Sequence, residues 1–241
     1  MSGHSHWASI KHKKGAEDAK RSKVFSKITR LISVAAREKG PDPATNPSLR
    51  TAIDQAKQFN MPKENIERAI KKGTGELEGE RLESFTFEAL GPFGTAMIIE
   101  GITDNKNRTL GAVKQIMNQY NGKLGNEGSV RWMFDRKGII TVVAGFETLS
   151  AKKDETELTI IEAGAEDIKW RPDFIEINTR PEELDQTRKN LEEKGISSES
   201  ASLGWVAKEE VEVSNKESLE NLFEALDDND DVQNIYSNAK I

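Results

Sequence analysis

The chain has 241 residues, 35% of them hydrophobic and 32% charged, which suits several small cores better than one large core. It has no cysteine, which excludes disulfides, thiolate nucleophiles and thiolate metal sites. No apolar run approaches the roughly 18–20 residues of a membrane span, and the amino terminus lacks the apolar core of a secretory signal. We therefore expect a cytoplasmic protein with no membrane partner.

Charge is distributed unevenly along the chain. The first forty residues contain ten lysines and arginines and three acidic residues, a net charge of +7. The whole chain carries −6, so the other 201 residues sum to −13. Such segregation predicts a polyanionic partner for the amino-terminal end.

A first helix is predicted from about Glu17 to Lys39, because apolar residues recur there with helical period. A basic stripe follows an adjacent arc of the same helix; its members are Lys20, Lys23, Lys27, Arg30 and Arg37. The Gly40-Pro41-Asp42-Pro43 run ends this helix.

Two further helices complete a small bundle. Asn46 is a good N-cap and Pro47 suits the first helical position, so a second helix begins there. A third begins near Pro62 and ends at Gly73. We predict that residues 1–77 form a basic three-helix domain with an amino-terminal tail.

Strands and helices alternate after this bundle. The predicted strands are 85–90, 95–101, 129–134, 138–143, 167–171, 173–178, 199–205, 206–213 and 231–237, and the predicted helices are 107–120, 152–163, 181–194 and 215–226. This order predicts an α+β protein with two βαββαβ (ferredoxin-like) domains. One, at 136–205, is inserted into the other, which is split between 78–135 and 206–241.

The amino-terminal charge predicts nucleic-acid binding, although many charge runs are only solvated helix faces. The candidate binding residues are Trp7, Lys11, Lys13, Lys14, Lys20, Arg21, Lys23, Lys27, Arg30 and Arg108. Trp7 could stack on a base or anchor the tail to the bundle. Reversing the charges of Lys20, Lys23 and Lys27 is expected to abolish binding and leave the fold intact.

Two loops have polar or glycine-rich sequences. Gly91-Pro92-Phe93-Gly94 suits a hairpin turn better than a phosphate loop, since it lacks the Lys-Ser/Thr ending and does not open a helix. Asp104 and Asn105 suit helix caps, while Lys106 and Arg108 could add an anion contact at that helix start.

Catalytic and metal patterns are missing from the sequence. The three histidines (His4, His6 and His12) all lie in the tail, without a fitting carboxylate or cysteine pattern. The carboxylates are scattered, with no spacing that nominates a pair. We expect no enzymatic activity, no cofactor, no metal and no small-molecule substrate.

Four segments of the chain resemble the YebC family. They read GHSHWASIKHKKGAEDAKRSKVFSKITRLI, NPSLRTAIDQAKQFNMPKENIERAIKKGTG, GPFGTAMIIEGITDNKNRT, and LGNEGSVRWMF followed by KGII. The resemblance is strong from Gly3 to about Ile140 and looser beyond. Two positions depart from the family, which usually has lysine in place of His6 and glycine in place of Phe93.

The resemblance implies a helical domain followed by two α/β domains, and a non-enzymatic regulator of gene expression. Bacterial members are described as DNA-binding transcriptional regulators. Others resemble ribosome-bound translation factors that ease synthesis through proline-rich stretches. A mitochondrial member is described as a translational activator of cytochrome oxidase subunit I.

Of these functions, we favour a monomeric translation factor that binds rRNA on the ribosome. A basic tail with an aromatic residue suits structured RNA, and the acidic remainder could face basic ribosomal proteins. A DNA-binding transcriptional regulator is the alternative. The helix 62–72 shows no obvious arginine, asparagine and glutamine face for reading bases, and Gly40–Thr45 is long for a helix-turn-helix connection.

Overall fold

The computed structural model describes residues 17–79 and 81–240, with side chains from residue 22 onward. The described helices are α1 Glu17–Lys39, α2 Pro47–Gln58, α3 Lys63–Thr74, α4 Lys106–Gln119, α5 Phe146–Ala151, α6 Lys153–Glu162, α7 Leu184–Glu193 and α8 Lys216–Asp227. The described strands are β1 Glu83–Leu90, β2 Ala96–Thr103, β3 Lys123–Leu124, β4 Phe134–Val142, β5 Asp167–Trp170, β6 Ile175–Thr179, β7 Ser200–Ala207, β8 Val211–Glu212, β9 Val232–Ser237 and β10 Ala239–Lys240.

This is a mixed α+β fold whose two larger sheets are built from antiparallel pairs wherever the register is defined. The described chain forms two compact units. The first comprises residues 17–131 and 213–235, and the second comprises residues 132–212 and 236–240. None of the helices within residues 17–79 and 81–240 is long and apolar enough to cross a membrane.

Helices α1, α2 and α3 form the predicted bundle around a shared apolar core, which includes Ile28, Ile32 and Leu49. Asn46 joins two of these helices. Its side-chain oxygen accepts from the Leu49 N–H and caps α2, while its amide donates to the Ala35 and Gly40 carbonyls, both at 2.8 Å. The fully buried amide therefore fixes both the end of α1 and the start of α2.

The first unit also contains a four-stranded sheet in the order β3-β1-β2-β9. Strands β1 and β2 pair antiparallel from Glu83↔Thr103 to Leu90↔Ala96. The hairpin between them contains the predicted turn at Gly91–Gly94, and α4 and α8 pack against each other beside this sheet. The sheet thus uses the strand predicted at 85–90 as a central member.

The predicted strand at 129–134 is wrong. Residues Arg131–Met133 form one turn of 3₁₀ helix, and Phe134 already begins the long strand β4. The predicted strand at 206–213 is also wrong, because this stretch is divided between the end of β7 and the two-residue β8, which pairs with β10. Neither segment supplies a strand to the first unit's sheet, so the split domain lacks the central hairpin expected of it.

The physical reason for the first error is the buried carboxylate of Glu88. The backbone N–H groups of residues 128, 130 and 131 donate to it at 2.7, 2.8 and 2.9 Å. Burial raises the pKa of this carboxyl, but the three backbone hydrogen bonds outweigh burial and hold the pKa below its ordinary value. Donors that converge on one carboxylate cannot form a strand ladder.

The second unit contains a four-stranded sheet in the order β5-β6-β4-β7, with antiparallel neighbours throughout. Its elements follow the predicted succession of strand, helix, two strands, helix and strand. The helical part between β4 and β5 is broken into α5 and α6. The core packs Ile140, Ile175 and Ile177 of the sheet against Ile160 and Leu191 of the helices.

We predict that Gly73→Ala destabilises the first unit. A Cβ atom at Gly73 would lie well inside van der Waals contact of the Ser33 carbonyl oxygen, where α1 and α3 approach closely. The expected loss in the free energy of unfolding is about 1–3 kcal/mol, measured by urea denaturation followed by circular dichroism.

The matched control is Gly111→Ala in α4, where an added Cβ meets nothing within 4 Å. Alanine should raise the free energy of unfolding there by up to about 1 kcal/mol, since glycine is a poor helix former. If the two substitutions shifted stability equally, the close α1–α3 approach would be disproved.

Candidate nucleic-acid interface

The basic stripe on α1 faces an acidic segment, defined here as Asp227–Asp231, which follows α8. Lys23, Lys27 and Arg30 share one helix face because they are spaced by four and three residues. The Nζ atom of Lys23 lies 2.7 Å from the Oδ1 atom of Asp228, and the Nζ atom of Lys27 lies 2.7 Å from the Oδ1 atom of Asp227. Arg30 forms an ion pair with Asp231.

These three ion pairs form what is called here the ion-pair row. Lys27 is the most deeply buried of its three cations and is only 6% exposed. Its ammonium group also donates to the Asp227 carbonyl oxygen at 3.0 Å, at the last residue of α8. The ammonium group therefore neutralises the Asp227 carboxylate and also donates a hydrogen bond to a carbonyl that has no partner within the helix. Removing one partner of such a buried pair would leave the other uncompensated.

Asp231, the last residue of the acidic segment, binds several groups besides Arg30. Its carboxylate accepts hydrogen bonds from the hydroxyls of Thr109 at 2.6 Å and Thr103 at 3.2 Å, besides the ion pair with Arg30. Burial raises the pKa of this carboxyl, but the hydrogen bond from Thr109 and the bond and charge of Arg30 outweigh burial. The pKa of Asp231 therefore lies below its ordinary value, and the group is a carboxylate at neutral pH.

Arg108 borders the same cluster from the first turn of α4. Its guanidinium pairs with Asp104 and reaches Asp231 at 3.5 Å, while its side chain remains 56% exposed. The hydrogen bond to Asp104 raises the pKa of Arg108, and the same bond lowers the pKa of Asp104. Asn105 caps the helix by accepting from the Arg108 N–H at 3.1 Å, as predicted.

The structure places the predicted binding residues in three groups. Trp7, Lys11, Lys13 and Lys14 lie outside the described residues, and Lys20 and Arg21 belong to α1 without described side chains. Lys23, Lys27, Arg30 and Arg108 are held in ion pairs within the first unit.

This pairing corrects one expectation. Charge reversal of Lys20, Lys23 and Lys27 cannot be expected to leave the fold intact, because Lys27 is buried against Asp227. A glutamate at position 27 would bury two facing carboxylates, so loss of binding by that variant would not identify a contact surface.

The sequence interpretation missed the acidic partner of the stripe. The signal was present, since four of the five residues from Asp227 to Asp231 are acidic and follow a predicted helix. Acidic residues are disfavoured at a helix carboxyl end, so a run of them there indicates that cations lie nearby.

The bundle has other exposed cations, of which sequence analysis placed only Arg37 on the basic stripe. They are Arg37, Lys39, Arg50, Arg68, Lys71 and Lys72, and all are exposed. Within residues 22–79 and 81–240, no ion pair involves any of the six. They add positive charge that a polyanion could reach.

The side chains that the structure describes include no group of three or more His, Cys, Asp or Glu placed to hold a metal ion. The acidic segment is instead matched with Lys23, Lys27 and Arg30. Its chemistry is that of a structural ion-pair row.

Comparison with known proteins identifies the class. Two family descriptions match: "TACO1/YebC protein N-terminal domain" over residues 5–76 and "TACO1/YebC second and third domain" over residues 82–239. A crystal structure of a conserved hypothetical protein from Aquifex aeolicus has a TM-score of 0.88 and 45% identity, covering 98% of this chain and 97% of that one. The fold is therefore shared with a solved structure over nearly its whole length.

The chain belongs to the TACO1/YebC family. A protein from Desulfatibacillum aliphaticivorans is 49% identical over 244 residues, covering all of this chain and 97% of the relative. One from Halothermothrix orenii is 46% identical, covering all of this chain and 96% of the relative. Both bear the name "Probable transcriptional regulatory protein", so the family is described by regulation of gene expression and not by an enzymatic activity.

We predict that Asp231→Asn lowers the free energy of unfolding at pH 7 by about 2–4 kcal/mol, because Arg30 loses its buried counter-charge. The depressed pKa of Asp231 stabilises the folded state above the ordinary carboxyl pKa, and this contribution is lost as the pH falls through the folded-state value. The variant should therefore lose less stability than the wild type between about pH 5 and pH 2. Urea unfolding across this pH range measures both effects.

The control is Asp54→Asn, which removes an exposed carboxylate lying 3.6 Å from Lys57. Such surface pairs contribute little, so its stability should change by less than about 1 kcal/mol. Parallel pH profiles for Asp231→Asn and the wild type would contradict the assigned role of Asp231.

Proposed function

We propose that this protein is a nucleic-acid-binding regulator of gene expression that associates with the ribosome through rRNA. The observation that carries the proposal is the partition of positive charge. The first forty residues have a net charge of +7. Among those whose side chains the structure describes, Lys23, Lys27 and Arg30 are paired with aspartates. The other basic residues of this segment are proposed to carry the charge that meets the partner.

The residues proposed for phosphate contact are Lys11, Lys13, Lys14, Lys20 and Arg21. Arg108 adds a half-exposed guanidinium that is still tied to Asp104. Lysine and arginine release counterions from a phosphate backbone, which gives strong and salt-dependent binding with little sequence preference. The neutralised residues Lys23, Lys27 and Arg30 are proposed to hold α1 in place for this contact.

RNA is favoured over DNA by the distribution of the opposite charge. The 201 residues after residue 40 have a net charge of −13. A long DNA duplex that ran along this part of the protein would be repelled by that negative charge. A ribosome offers phosphate beside basic protein, so both signs of charge find partners. Easier elongation through proline-rich stretches is the activity that the resemblance to the YebC family implies, and it forms part of the proposal.

A DNA-binding transcriptional regulator is the second candidate. Two observations favour it: the names of the bacterial relatives, and the connection of only four residues, 59–62, between α2 and α3. Helix-turn-helix proteins use turns of this length. However, the exposed face of α3 carries Glu64 and Glu67 among its basic residues, which suits base reading in a major groove poorly.

The proposal includes a cytoplasmic, monomeric protein without a cofactor. It also keeps three domains, at 1–77, at 78–135 with 206–241, and at 136–205. The family descriptions, which separate residues 5–76 from 82–239, support the first boundary.

The test is a triple charge reversal of Lys11, Lys13 and Lys14 to glutamate. We expect sedimentation with ribosomes to be lost at near-physiological salt, because the variant loses phosphate contacts. The slope of log K against log salt concentration should also fall by about one unit per phosphate contact removed. Ribosome sedimentation and promoter-length duplex DNA binding are measured at several salt concentrations. The triple variant should retain wild-type unfolding.

The matched control reverses Lys152, Lys189 and Lys208, which are exposed residues of the second unit, and changes the net charge equally. It should sediment like the wild type. Ribosome binding that survives reversal of Lys11, Lys13 and Lys14 would contradict the proposed contact. Discrete promoter binding without ribosome association would favour the transcriptional role.

A further inference from the structure

We propose that Phe93 stacks on an unpaired base of the nucleic acid that this protein binds. Phe93 lies in the turn Gly91–Gly94 between β1 and β2. The inference rests on the proposed function, because it names a base contact in addition to the phosphate contacts of the amino-terminal residues.

The first observation is the backbone conformation of Phe93. Its φ of 60° and ψ of 22° lie in the left-handed region, which side chains with a Cβ atom disfavour and glycine accepts readily. A bulky aromatic residue there is an outlier. Such outliers persist where the surrounding structure holds them, and they concentrate at binding sites.

Hydrogen bonds within the turn fix the backbone at Phe93. The Gly91 N–H donates to the Thr95 carbonyl at 2.7 Å, and the buried Thr95 hydroxyl donates to the Pro92 carbonyl at 2.9 Å. Pro92 is itself buried and has a fixed φ. Because the backbone is already ordered, less conformational entropy is lost when the residue binds, which favours recognition.

The second observation is exposure of the ring. Phe93 is 45% exposed, and Leu90 at the end of β1 is 47% exposed. Within residues 22–79 and 81–240, no ring–ring or cation–ring contact involves Phe93. The tip of the hairpin therefore presents an apolar, aromatic surface to solvent.

The third observation concerns charge around the tip. Leu90 pairs in register with Lys123 of β3, whose side chain is exposed. Residues 89–99 and 117–126 contain no aspartate or glutamate, although 41 of the 241 residues are acidic. The carboxylate of Glu88, the residue before this stretch, accepts from the backbone N–H groups of residues 128, 130 and 131.

The hairpin has an exposed aromatic ring at its tip, its strand pairs with a lysine-bearing strand, and the two segments lack aspartate and glutamate. These features match the chemistry of single-stranded nucleic acid. Every base offers a π-face on which a phenyl ring stacks, and the adjacent phosphates tolerate a cation and avoid carboxylates. Because stacking is sequence-tolerant, the contact suits a partner in which unpaired bases are presented in loops.

The experiment compares Phe93→Gly and Phe93→Trp with the wild type. The probes are a single-stranded RNA of mixed sequence and the same RNA annealed to its complement. Phe93→Gly should weaken single-strand binding by roughly five- to a hundredfold and leave duplex binding unchanged. The salt dependence of single-strand binding should stay the same, since no phosphate contact is lost, and Phe93→Trp should restore affinity.

Folding and exposed apolar area are controlled separately. Glycine accepts the left-handed conformation, so Phe93→Gly should keep the wild-type unfolding midpoint. Leu110→Ala removes an apolar side chain of similar exposure, 42%, from α4 and should bind RNA like the wild type.

The outcomes separate this inference from the proposed function. If Phe93→Gly bound single-stranded RNA like the wild type while the reversal of Lys11, Lys13 and Lys14 lost it, stacking would be disproved and the proposed function would stand. If Phe93→Gly kept RNA binding but lost ribosome association, the partner of Phe93 would be a protein, which also overturns the inference. A wild-type protein that bound neither RNA nor ribosomes would overturn both.

Discussion

The ion-pair row between α1 and the acidic segment Asp227–Asp231 is the constraint on which the first unit depends. It joins residues about 200 positions apart in sequence, from Lys23–Asp228 to Arg30–Asp231. Arg30 also donates to the carbonyl of Ile102 near the end of β2, at 2.9 Å. One helix face therefore ties the bundle to the sheet and to the chain entering β9.

The row also relieves an electrostatic conflict at the end of α8. Four aspartates within five residues repel one another and oppose the negative end of the helix dipole. Three cations from α1 offset this repulsion, and Lys27 additionally caps the Asp227 carbonyl. Since a buried carboxylate or ammonium is costly without its partner, the bundle and the acidic segment are expected to keep their arrangement as one unit.

Helical periodicity and capping residues predicted the bundle from sequence, because Asn46 and Pro47 are local signals whose meaning does not depend on distant contacts. The predicted end of the third helix at Gly73 was wrong, since α3 continues to Thr74 and the left-handed Gly75 caps it. The strand predicted at 129–134 failed for the opposite reason: its backbone donors are claimed by Glu88, about forty residues earlier. The same limit applies to the basic stripe. Its spacing on α1 could be predicted, but its aspartate partners could not be recognised from periodicity, since they lie on another element. At Phe93 the turn was predicted, whereas the left-handed backbone at a non-glycine residue became apparent only in the structure.

On the proposed function, the amino-terminal positive charge acts in two physically different ways. Among the described side chains of α1, Lys23, Lys27 and Arg30 are paired with aspartates inside the first unit, and the other basic residues of the first forty are proposed to meet a partner. Long-range attraction of this kind brings a polyanion close but discriminates poorly among polyanions. An exposed aromatic ring on an ordered turn acts only at contact and needs an unstacked base. Discrimination between a ribosome and bulk duplex DNA would then come from the base contact at the hairpin and from the acidic charge after residue 40, and not from the lysines, because both polyanions offer the lysines phosphate groups.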